Sequence, residues 1–320
     1  MKVSWFRCAA LMAGLAALLQ LSGCGSSTTA SALVPSRIIS FGDNFSDVGQ
    51  KNGYKYTVND GTLNTWLEEF AKDYGLTVAP SNAGGTAYGR GGARVNSFTN
   101  VLGNTGTLSV SQQIDAFLAT DSFGPNDLVF INGGVNDVIY EMNAVVGGVE
   151  TQAQMQTNVQ QAGADLAAQV KRLVNSGANY VVVMGTFNLG QTPWAASIGQ
   201  QSLLTIMSSK FNEAMLVPIV TEGKHVLYVD ATYYLNLVSN PLAAGAYGIT
   251  NVTDPVCTDI DYGLGIGIGT GRVNSLNCTA NTLISGVNAG AYAFADQVYF
   301  TPTVYRQFGD YAFGLVRVRW

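Results

Sequence analysis

Histidine is almost absent from this chain: among 320 residues there is one, His225. Basic residues are also few, with 16 Lys and Arg against 21 Asp and Glu, and they form no dense cationic run. The scarcity of histidine argues against an imidazole-rich metal centre, and the net charge of −5 argues against nucleic acid as a partner. The glycine-rich segment 263–271 lacks the terminal Lys-Ser/Thr of a phosphate-binding loop. We therefore expect no metal, no cofactor and no nucleic-acid partner.

The N-terminal segment is typical of an export signal. Lys2 and Arg7 supply a positive start, and residues 8–21 are mostly apolar but too short to span a bilayer as a stable helix with their polar flanks. The segment ends in Leu-Ser-Gly-Cys24, which resembles a bacterial lipobox, whose cysteine is lipidated and becomes the mature N-terminus. The alternative is an ordinary secretory signal that contains a cysteine by coincidence.

The residues after the lipobox suggest a destination and a tether. Gly25 follows the cysteine where an Asp would favour retention in the inner membrane, so we expect a lipoprotein of the outer membrane, on its periplasmic or cell-surface side. Residues 25–36 are rich in Ser, Thr and Ala, which predicts a flexible tether that joins the lipid anchor to the fold. Nothing in residues 37–320 has the composition of a linker, so we expect one domain there.

Cysteine is scarce, and beyond the N-terminal segment only Cys257 and Cys278 remain. Both lie within residues 239–290, a stretch rich in Gly, Asn, Thr and Ala that is typical of a long surface loop. In the oxidising compartment that an export signal implies, a disulfide is the expected state of such a pair. A metal site is disfavoured because no further cysteine is available. We therefore predict a surface loop closed by one disulfide.

Short apolar runs alternate with longer helical patterns along the rest of the chain. Predicted strands are Arg37–Phe41, Asp127–Asn132, 180–185 and 225–229, and predicted helices are 63–74, 152–174, 203–220 and 301–316. Strands that alternate with helices of this length indicate a parallel sheet covered by helices on both faces. The expected fold is thus a single α/β domain, a three-layer α/β/α sandwich.

Four short blocks carry the residues suited to chemistry. They read RIISFGDNFSDVG at residues 37–49, AYGRGGAR at 87–94, GGVND at 133–137 and DQVYFTPT at 296–303. Two of them follow predicted strands directly, and sites in parallel sheets lie at the carboxyl ends of strands. Together the blocks resemble those of the SGNH/GDSL ester hydrolases, and the resemblance covers nearly all of residues 37–318. It implies the flavodoxin-like fold of that family.

The first two blocks keep the frame of the family but not its nucleophile. The usual first block is FGDSLSD, with a nucleophilic Ser after Gly-Asp; here Gly42 permits the sharp turn and Asp43 is expected to anchor the loop. Asn44 stands at the nucleophile position, and an amide nitrogen delocalised into its carbonyl does not attack esters. The second block resembles NYAVGGA, by which Gly92, with Gly91 as the fallback, would donate its backbone N–H to an oxyanion.

The last two blocks supply an amide donor and a carboxylate but no base. Gly134 and Asp137 match the scaffold of the family's GxND block, in which Asn136 would point its side-chain NH₂ at the oxyanion. The usual fourth block is DxxHPT, so Asp296 would orient the base, but Tyr299 stands where the His belongs. An unperturbed phenol has a pKa of about 10 and is protonated at neutral pH, so it does not serve as the base.

The resemblance implies an ester hydrolase, yet losing the Ser or the His of such a triad costs about 10⁶ in kcat. We therefore expect a pseudoenzyme that binds a small acylated or ester-bearing ligand, either a lipid or a glycan. The first alternative is an active divergent hydrolase (carboxylesterase, lipase or acetylesterase) rerouted through Asp43, Asp296 or Ser46. The second is a surface scaffold with a vestigial site. His225, at the start of a predicted strand, is expected to be a structural or surface residue.

Overall fold

A computed structural model describes residues 32–320 of the chain. The central sheet has four parallel strands in chain order, which are β1 (Arg37–Phe41), β2 (Asp127–Asn132), β3 (Tyr180–Met184) and β4 (Val226–Tyr228). In register, Ile39 pairs with Val129 and Val129 with Val181. All six residues of β2 are buried, as a parallel sheet covered on both faces requires.

Helices follow or precede each strand. In the described part of the chain they are α1 (Trp66–Asp73), α2 (Val110–Leu118), α3 (Val135–Val146), α4 (Gln152–Asn175), α5 (Pro193–Ser197), α6 (Gln201–Ile219), α7 (Ala231–Ser239) and α8 (Pro302–Arg319). By length and composition alone, α6 could cross a membrane, but it packs along α4 within the domain. At Gly163 of α4, an added Cβ would lie 2.4 Å from the Phe211 carbonyl oxygen of α6.

Aromatic side chains show that the two faces of the sheet carry different helices. Phe130 of β2 meets Phe70 of α1 with ring centroids 4.7 Å apart. Phe41 of β1 pairs in register with Ile131, so it points to the opposite face, where it meets Phe117 of α2 at 5.8 Å. Phe308 of α8 packs on α1. The predicted three-layer sandwich is therefore the observed fold.

Strand β1 is the edge of the four-stranded sheet, and the segment around Ala87 forms a parallel bridge along its free side. On the edge of β1 that does not pair with β2, the Ser40 N–H donates to the Thr86 carbonyl (3.1 Å), and the Tyr88 N–H donates to the Ser40 carbonyl (2.7 Å). The chain after β1 thus covers one side of it, and β2 returns to the other. In open α/β sheets a ligand crevice forms at such a switch point, beyond the carboxyl end of the strand.

Residues 239–290 are more ordered than the surface loop predicted for them. Strand β5 (Asn251–Pro255) pairs with β8 (Tyr292–Phe294), and β6 (Ile260–Asp261) pairs with β7 (Arg272–Val273). Ile266 and Ile268 are buried in the main core, and Asn143 of α3 donates to the Gly267 carbonyl at 2.6 Å. The glycine-rich composition therefore reflects tight turns around buried anchors. The predicted disulfide between Cys257 and Cys278 is present.

The chain joins the domain before the predicted boundary at residue 37. Leu33 and Pro35 are buried, and the Leu33 N–H donates to the carbonyl of Trp320 at 3.0 Å. The C-terminal part of the predicted tether, residues 25–36, is thus packed on the domain, where Leu33 meets the residue that follows α8 and Pro35 is also buried. The predicted lipidation of Cys24 falls outside the described residues.

Candidate active site

The turn after β1 depends on Gly42. Its backbone N–H donates to Gln113 Oε1 and its carbonyl accepts from Gln113 Nε2, both at 2.8 Å. A Cβ on Gly42 would lie 1.9 Å from Oδ1 of Asn132, the last residue of β2. Only glycine lets Asn132 approach so closely, and Asn132 in turn donates to Asp43 at 2.8 Å.

Asp43 is fully buried and caps the short helical turn Asn44–Ser46. Its Oδ1 accepts from the Phe45 N–H at 3.0 Å as well as from Asn132 Nδ2. Burial raises the pKa of Asp43 to about 6, against the opposing effect of these hydrogen bonds. The structure thus places Asp43 where an anchor of the loop would lie.

The side chain of Asn44 fills the position expected for an oxyanion. Its carbonyl oxygen, Oδ1, accepts from the Gly92 N–H at 2.7 Å and from Asn136 Nδ2 at 2.8 Å. These are two of the three donors that the sequence assigned to a substrate oxyanion, the third being the backbone N–H of Asn44 itself. Asn44 is 3 % exposed, so the pair of hydrogen bonds is largely withdrawn from solvent. The chain therefore satisfies its own oxyanion donors with an amide carbonyl.

The two glycines of the second block have different partners. Gly92 has φ of +76°, a conformation that strains residues with a Cβ, and aims its N–H at Asn44. The N–H of Gly91 donates instead to Asp47 Oδ2 at 2.8 Å, and a Cβ there would lie 1.8 Å from the Tyr56 hydroxyl oxygen. Of the two candidates, Gly92 is the one that faces the site.

The third block fixes the loop that carries Gly92. Gly134, with φ of +107°, starts α3, and Asn136 Nδ2 donates a second hydrogen bond to the Ala93 carbonyl at 2.8 Å. Asp137 accepts from the Val95 N–H at 3.0 Å and pairs with Arg94 at 3.3 Å. The residues on α3 thus hold both ends of the short stretch next to Gly92.

Asp296 is buried, and both oxygens of its carboxylate accept hydrogen bonds from neighbouring groups. Oδ1 accepts from the N–H groups of Val298 and Tyr299, both at 2.7 Å. Oδ2 accepts from the Ser275 N–H at 3.1 Å and also from the Ser275 hydroxyl. Since a carboxylate has about four acceptor positions, none is left to orient a base. Burial nevertheless raises the pKa of Asp296 above its usual range.

Tyr299 lies beneath the site and does not line it. The side chain is fully buried, its ring centroid is 5.6 Å from that of Tyr56, and its hydroxyl has no hydrogen-bond partner among the described residues. Burial, followed by the charges of Asp43 and Asp296, raises the pKa of Tyr299 well above 10. Tyr299 is therefore protonated at neutral pH and does not act as a general base.

An open cleft of about 370 Å³ lies over Asn44 and Gly92. Polar side chains of Lys51, Asp261 and Asn274 line it. It continues into a more apolar groove of about 440 Å³ beside α3. The residues that line both are Val101, Leu102 and Leu264, and the groove adds Tyr140, Ala144 and Val149. The site thus combines a polar end at Asn44 with an apolar extension.

His225, the single histidine, and Ser46, a candidate for rerouted chemistry, do not line the cleft. His225 precedes β4 at the amino end of the sheet, where its carbonyl accepts from the Val181 N–H and its Nδ1 lies 3.1 Å from the Asn179 carbonyl oxygen. A five-residue strand separates the two ends of the sheet by roughly 17 Å. Ser46 is buried, and its hydroxyl has no hydrogen-bond partner in the described part of the chain.

Several residues that build the site were missed by the sequence analysis. Gln113, Asn132 and Ser275 carry no local signal, since each reaches the site from a separate element. Asp47 is different, because it lies in the first block, FGDNFSD, at the position of the second Asp of the usual motif. Its carboxylate holds Gly91, and the motif was the signal that could have identified it.

The sequence model of the GDSL-like Lipase/Acylhydrolase family matches residues 38–312, most of the chain. The chain belongs to this family. This family member has Asn44 and Tyr299 at the positions described above.

Curated relatives of this GDSL-family chain match parts of it. A phosphatidylcholine-sterol acyltransferase of Aeromonas hydrophila is 29% identical over 195 residues, covering 57% of this chain and 53% of that protein. Lipase 1 of Photorhabdus luminescens is 30% identical over 159 residues, covering 48% of this chain and 22% of that protein. An uncharacterized protein of Pseudomonas putida is 28% identical over 207 residues, covering 57% of this chain and 33% of that protein. The chain thus spans about a fifth to a half of these relatives.

Solved structures with some similarity to this GDSL-family chain include two esterases. One is Est24, a carbohydrate acetylesterase from Sinorhizobium meliloti, at 13% identity and a TM-score of 0.46, covering 89% of this chain and 99% of that one. The other is the aryl esterase of M. smegmatis, at 14% identity and a TM-score of 0.44, with the same coverage.

Proposed function

We propose that this member of the GDSL family is a pseudoenzyme that binds an ester-bearing or acylated ligand without cleaving it. One observation carries the proposal: Asn44 Oδ1 accepts from both Gly92 N–H and Asn136 Nδ2, so the chain's own amide occupies the place of a substrate carbonyl. The acceptor of Asn44 is committed within the protein, which leaves its NH₂ group, on the side of the cleft, for a ligand.

The site also lacks a general base for the usual hydrolytic mechanism. Tyr299 is protonated and buried off the cleft, and Asp296 is fully engaged by Ser275 and the adjacent backbone. Without nucleophile and base, a triad enzyme keeps about 10³–10⁴ over water, which comes from the oxyanion hole and substrate binding. Because Asn44 also occupies that hole, we expect even this residual rate to be reduced.

An acyl chain suits the space that remains. The cleft stays open over Asn44 and leads past Val101, Leu102 and Leu264 into the apolar groove. We assign the polar end to the ester or its alcohol part and the groove to the acyl chain, which would gain about 0.8 kcal/mol for each buried CH₂. The ligand class is thus an acylated lipid or an O-acylated glycan.

The alternatives receive less support from the same site. A divergent hydrolase needs a new nucleophile and base, but Asp43, Asp296 and Ser46 are buried and His225 lies at the other end of the sheet. A scaffold with a vestigial site would be expected to fill its cleft with side chains, whereas this one is open. The names of the curated relatives, a lipase and an acyltransferase, favour a lipid ester over a glycan as the first ligand to test.

The proposed setting is the outer membrane. The Leu-Ser-Gly-Cys24 sequence supports lipidation, and Gly25 supports the outer membrane over the inner one. Metabolic labelling with an alkynyl fatty acid, compared between the wild type and Cys24→Ser, tests the anchor. Labelling that is equal in the two proteins would argue for an ordinary secretory signal.

Hydrolysis of p-nitrophenyl butyrate tests the central proposal. We expect a silent wild type and measurable turnover by Asn44→Ser/Tyr299→His, with Asn44→Ala/Tyr299→His as the matched control without a nucleophile. Binding is tested in parallel by isothermal calorimetry of the wild type with octanoate, against a Leu264→Asp variant that blocks the groove. Wild-type turnover well above the control, abolished by changing a residue of the cleft, would overturn the pseudoenzyme proposal.

A further inference from the structure

The end of the domain opposite the cleft carries exposed apolar side chains. Val34, just after the point where the chain joins the domain, is 74 % exposed; Val220, after α6, is 79 % exposed; and Val318, in the last turn of α8, is 87 % exposed. Hydrogen bonds place them near one another: the Leu33 N–H donates to the Trp320 carbonyl, and the Arg319 guanidinium donates to the Gly223 carbonyl. The three segments that carry these exposed valines are therefore joined to one another at this end of the domain.

Cations surround these valines. Lys224, Arg317 and Arg319 are exposed in the same segments, where the acidic side chain is the half-buried Glu222. Arg317 and Arg319, in the last turn of α8, also complement the dipole of that helix. The dipole does not account for the exposed valines. We call Val34, Val220, Lys224, Arg317, Val318 and Arg319 the amino-edge face, because they lie at the amino ends of the strands.

The described part of the chain begins next to this face. The chain enters the domain at Leu33, only nine positions after Cys24, the proposed lipid attachment site. Nine residues span at most about 30 Å even when fully extended. A lipid-anchored domain is thus held with its amino-edge face close to the bilayer, where valines and cations suit the interface and anionic headgroups respectively.

From this geometry we infer that the amino-edge face docks on the surface of an anionic lipid bilayer. The inference rests on the proposed lipid anchor at Cys24, which the labelling experiment tests separately, and it does not depend on what the cleft binds or whether it is catalytic. Val34, Val220 and Val318 enter the headgroup region, and Lys224, Arg317 and Arg319 lie at the level of the phosphates. The bilayer is chosen over a protein partner because the anchor segment ends at this face.

Fluorescence quenching by nitroxide-labelled lipid tests the inference. The exported full-length protein carries one introduced cysteine, Val220→Cys or Val318→Cys, labelled with bimane, and is reconstituted in vesicles of equal parts phosphatidylglycerol and phosphatidylcholine. The matched control is Phe98→Cys, which is also highly exposed but lies in the loop that follows Arg94 at the cleft end. We expect quenching at positions 220 and 318 at least threefold above that at position 98.

A second arm tests the contribution of charge. In vesicles of phosphatidylcholine alone, or with Lys224→Glu, quenching at position 318 should fall, because each basic residue near an anionic surface changes binding about fivefold. Equal quenching at all three positions, or stronger quenching at position 98, overturns the inference. The inference is also overturned if the protein forms a dimer in detergent solution without vesicles and Val220→Ser/Val318→Ser abolishes that dimer. A second copy of the chain would then be the occupant of this face.

Discussion

Removing the Asn44 carboxamide should destabilise the protein. In Asn44→Ala, the Gly92 N–H and one N–H of Asn136 lose their acceptor, while Asn136 keeps its second hydrogen bond to the Ala93 carbonyl. Each hydrogen bond contributes about 1 kcal/mol net, and water can reach the donors from the cleft, so the free energy of unfolding should fall by about 2 kcal/mol. Urea unfolding measures the change, with Asn281→Ala as a control at an exposed asparagine.

The same two hydrogen bonds set the expected gain in affinity. A ligand carbonyl must displace Asn44 Oδ1 from Gly92 and Asn136 in the wild type, but it meets free donors in Asn44→Ala. A difference of about 2 kcal/mol corresponds to a Kd roughly 30-fold lower. Calorimetry with octanoate measures it, since the carboxylate suits the two donors and the chain suits the groove. Unchanged stability together with equal or weaker binding would refute the reasoning, because the hydrogen bonds of Asn44 Oδ1 would then not keep a ligand carbonyl away from Gly92 and Asn136.

Three further predictions concern the base position, the buried anchor and the disulfide. Adding Ser275→Ala to Asn44→Ser/Tyr299→His should raise the kcat of ester hydrolysis at least tenfold, because it frees an acceptor position on Asp296 to orient the imidazole. The largest increase expected from an oriented imidazole is about 10⁴-fold. An unchanged kcat contradicts the idea. The pKa of Asp43 is about 6 in the folded protein against 3.8 normally, so its contribution to stability falls as pH rises between these values and is constant above. The difference in unfolding free energy between Asp43→Asn and the wild type should therefore change by about 3 kcal/mol across urea titrations from pH 3.5 to 7, and a flat difference contradicts the shift. Reducing the disulfide, which closes a loop of 21 residues, should lower the urea stability by about 3 kcal/mol, and an unchanged midpoint with reductant would show that the loop is ordered by packing alone.

The strands were the most predictable elements, and some helices were not. β1 and β2 have the predicted limits because continuous apolar runs bounded by polar residues are typical of strands buried on both faces. Helix α2 was missed, although Ser109 and Gln112 form a capping box that marks its start. Helix α3 was missed because its first turn is the Val-Asn-Asp of the third block, where polar site residues interrupt the apolar periodicity.

The positions of the site residues could be read from the four blocks, but their side-chain contacts could not. That Asn44 turns its carbonyl towards Gly92 depends on the room between two loops, which no local pattern encodes. Tyr299 was assigned to the site, yet Tyr56, from a segment 243 positions away, packs against it and the ring is buried. The engagement of Asp296 by Ser275 is likewise a long-range contact.

The parallel direction of the four strands separates the cleft from the membrane. Asn44 follows the carboxyl end of β1, whereas the amino-edge face lies at the amino ends, so a full strand length lies between them. With that face on the bilayer, the cleft opens towards the aqueous compartment. Lipids of the leaflet that holds the anchor would not reach it unaided. In that proposed orientation, an acylated glycan or a lipid delivered by another protein would approach the cleft directly, and the chain would act as a receptor for ligands arriving from beyond its own membrane surface.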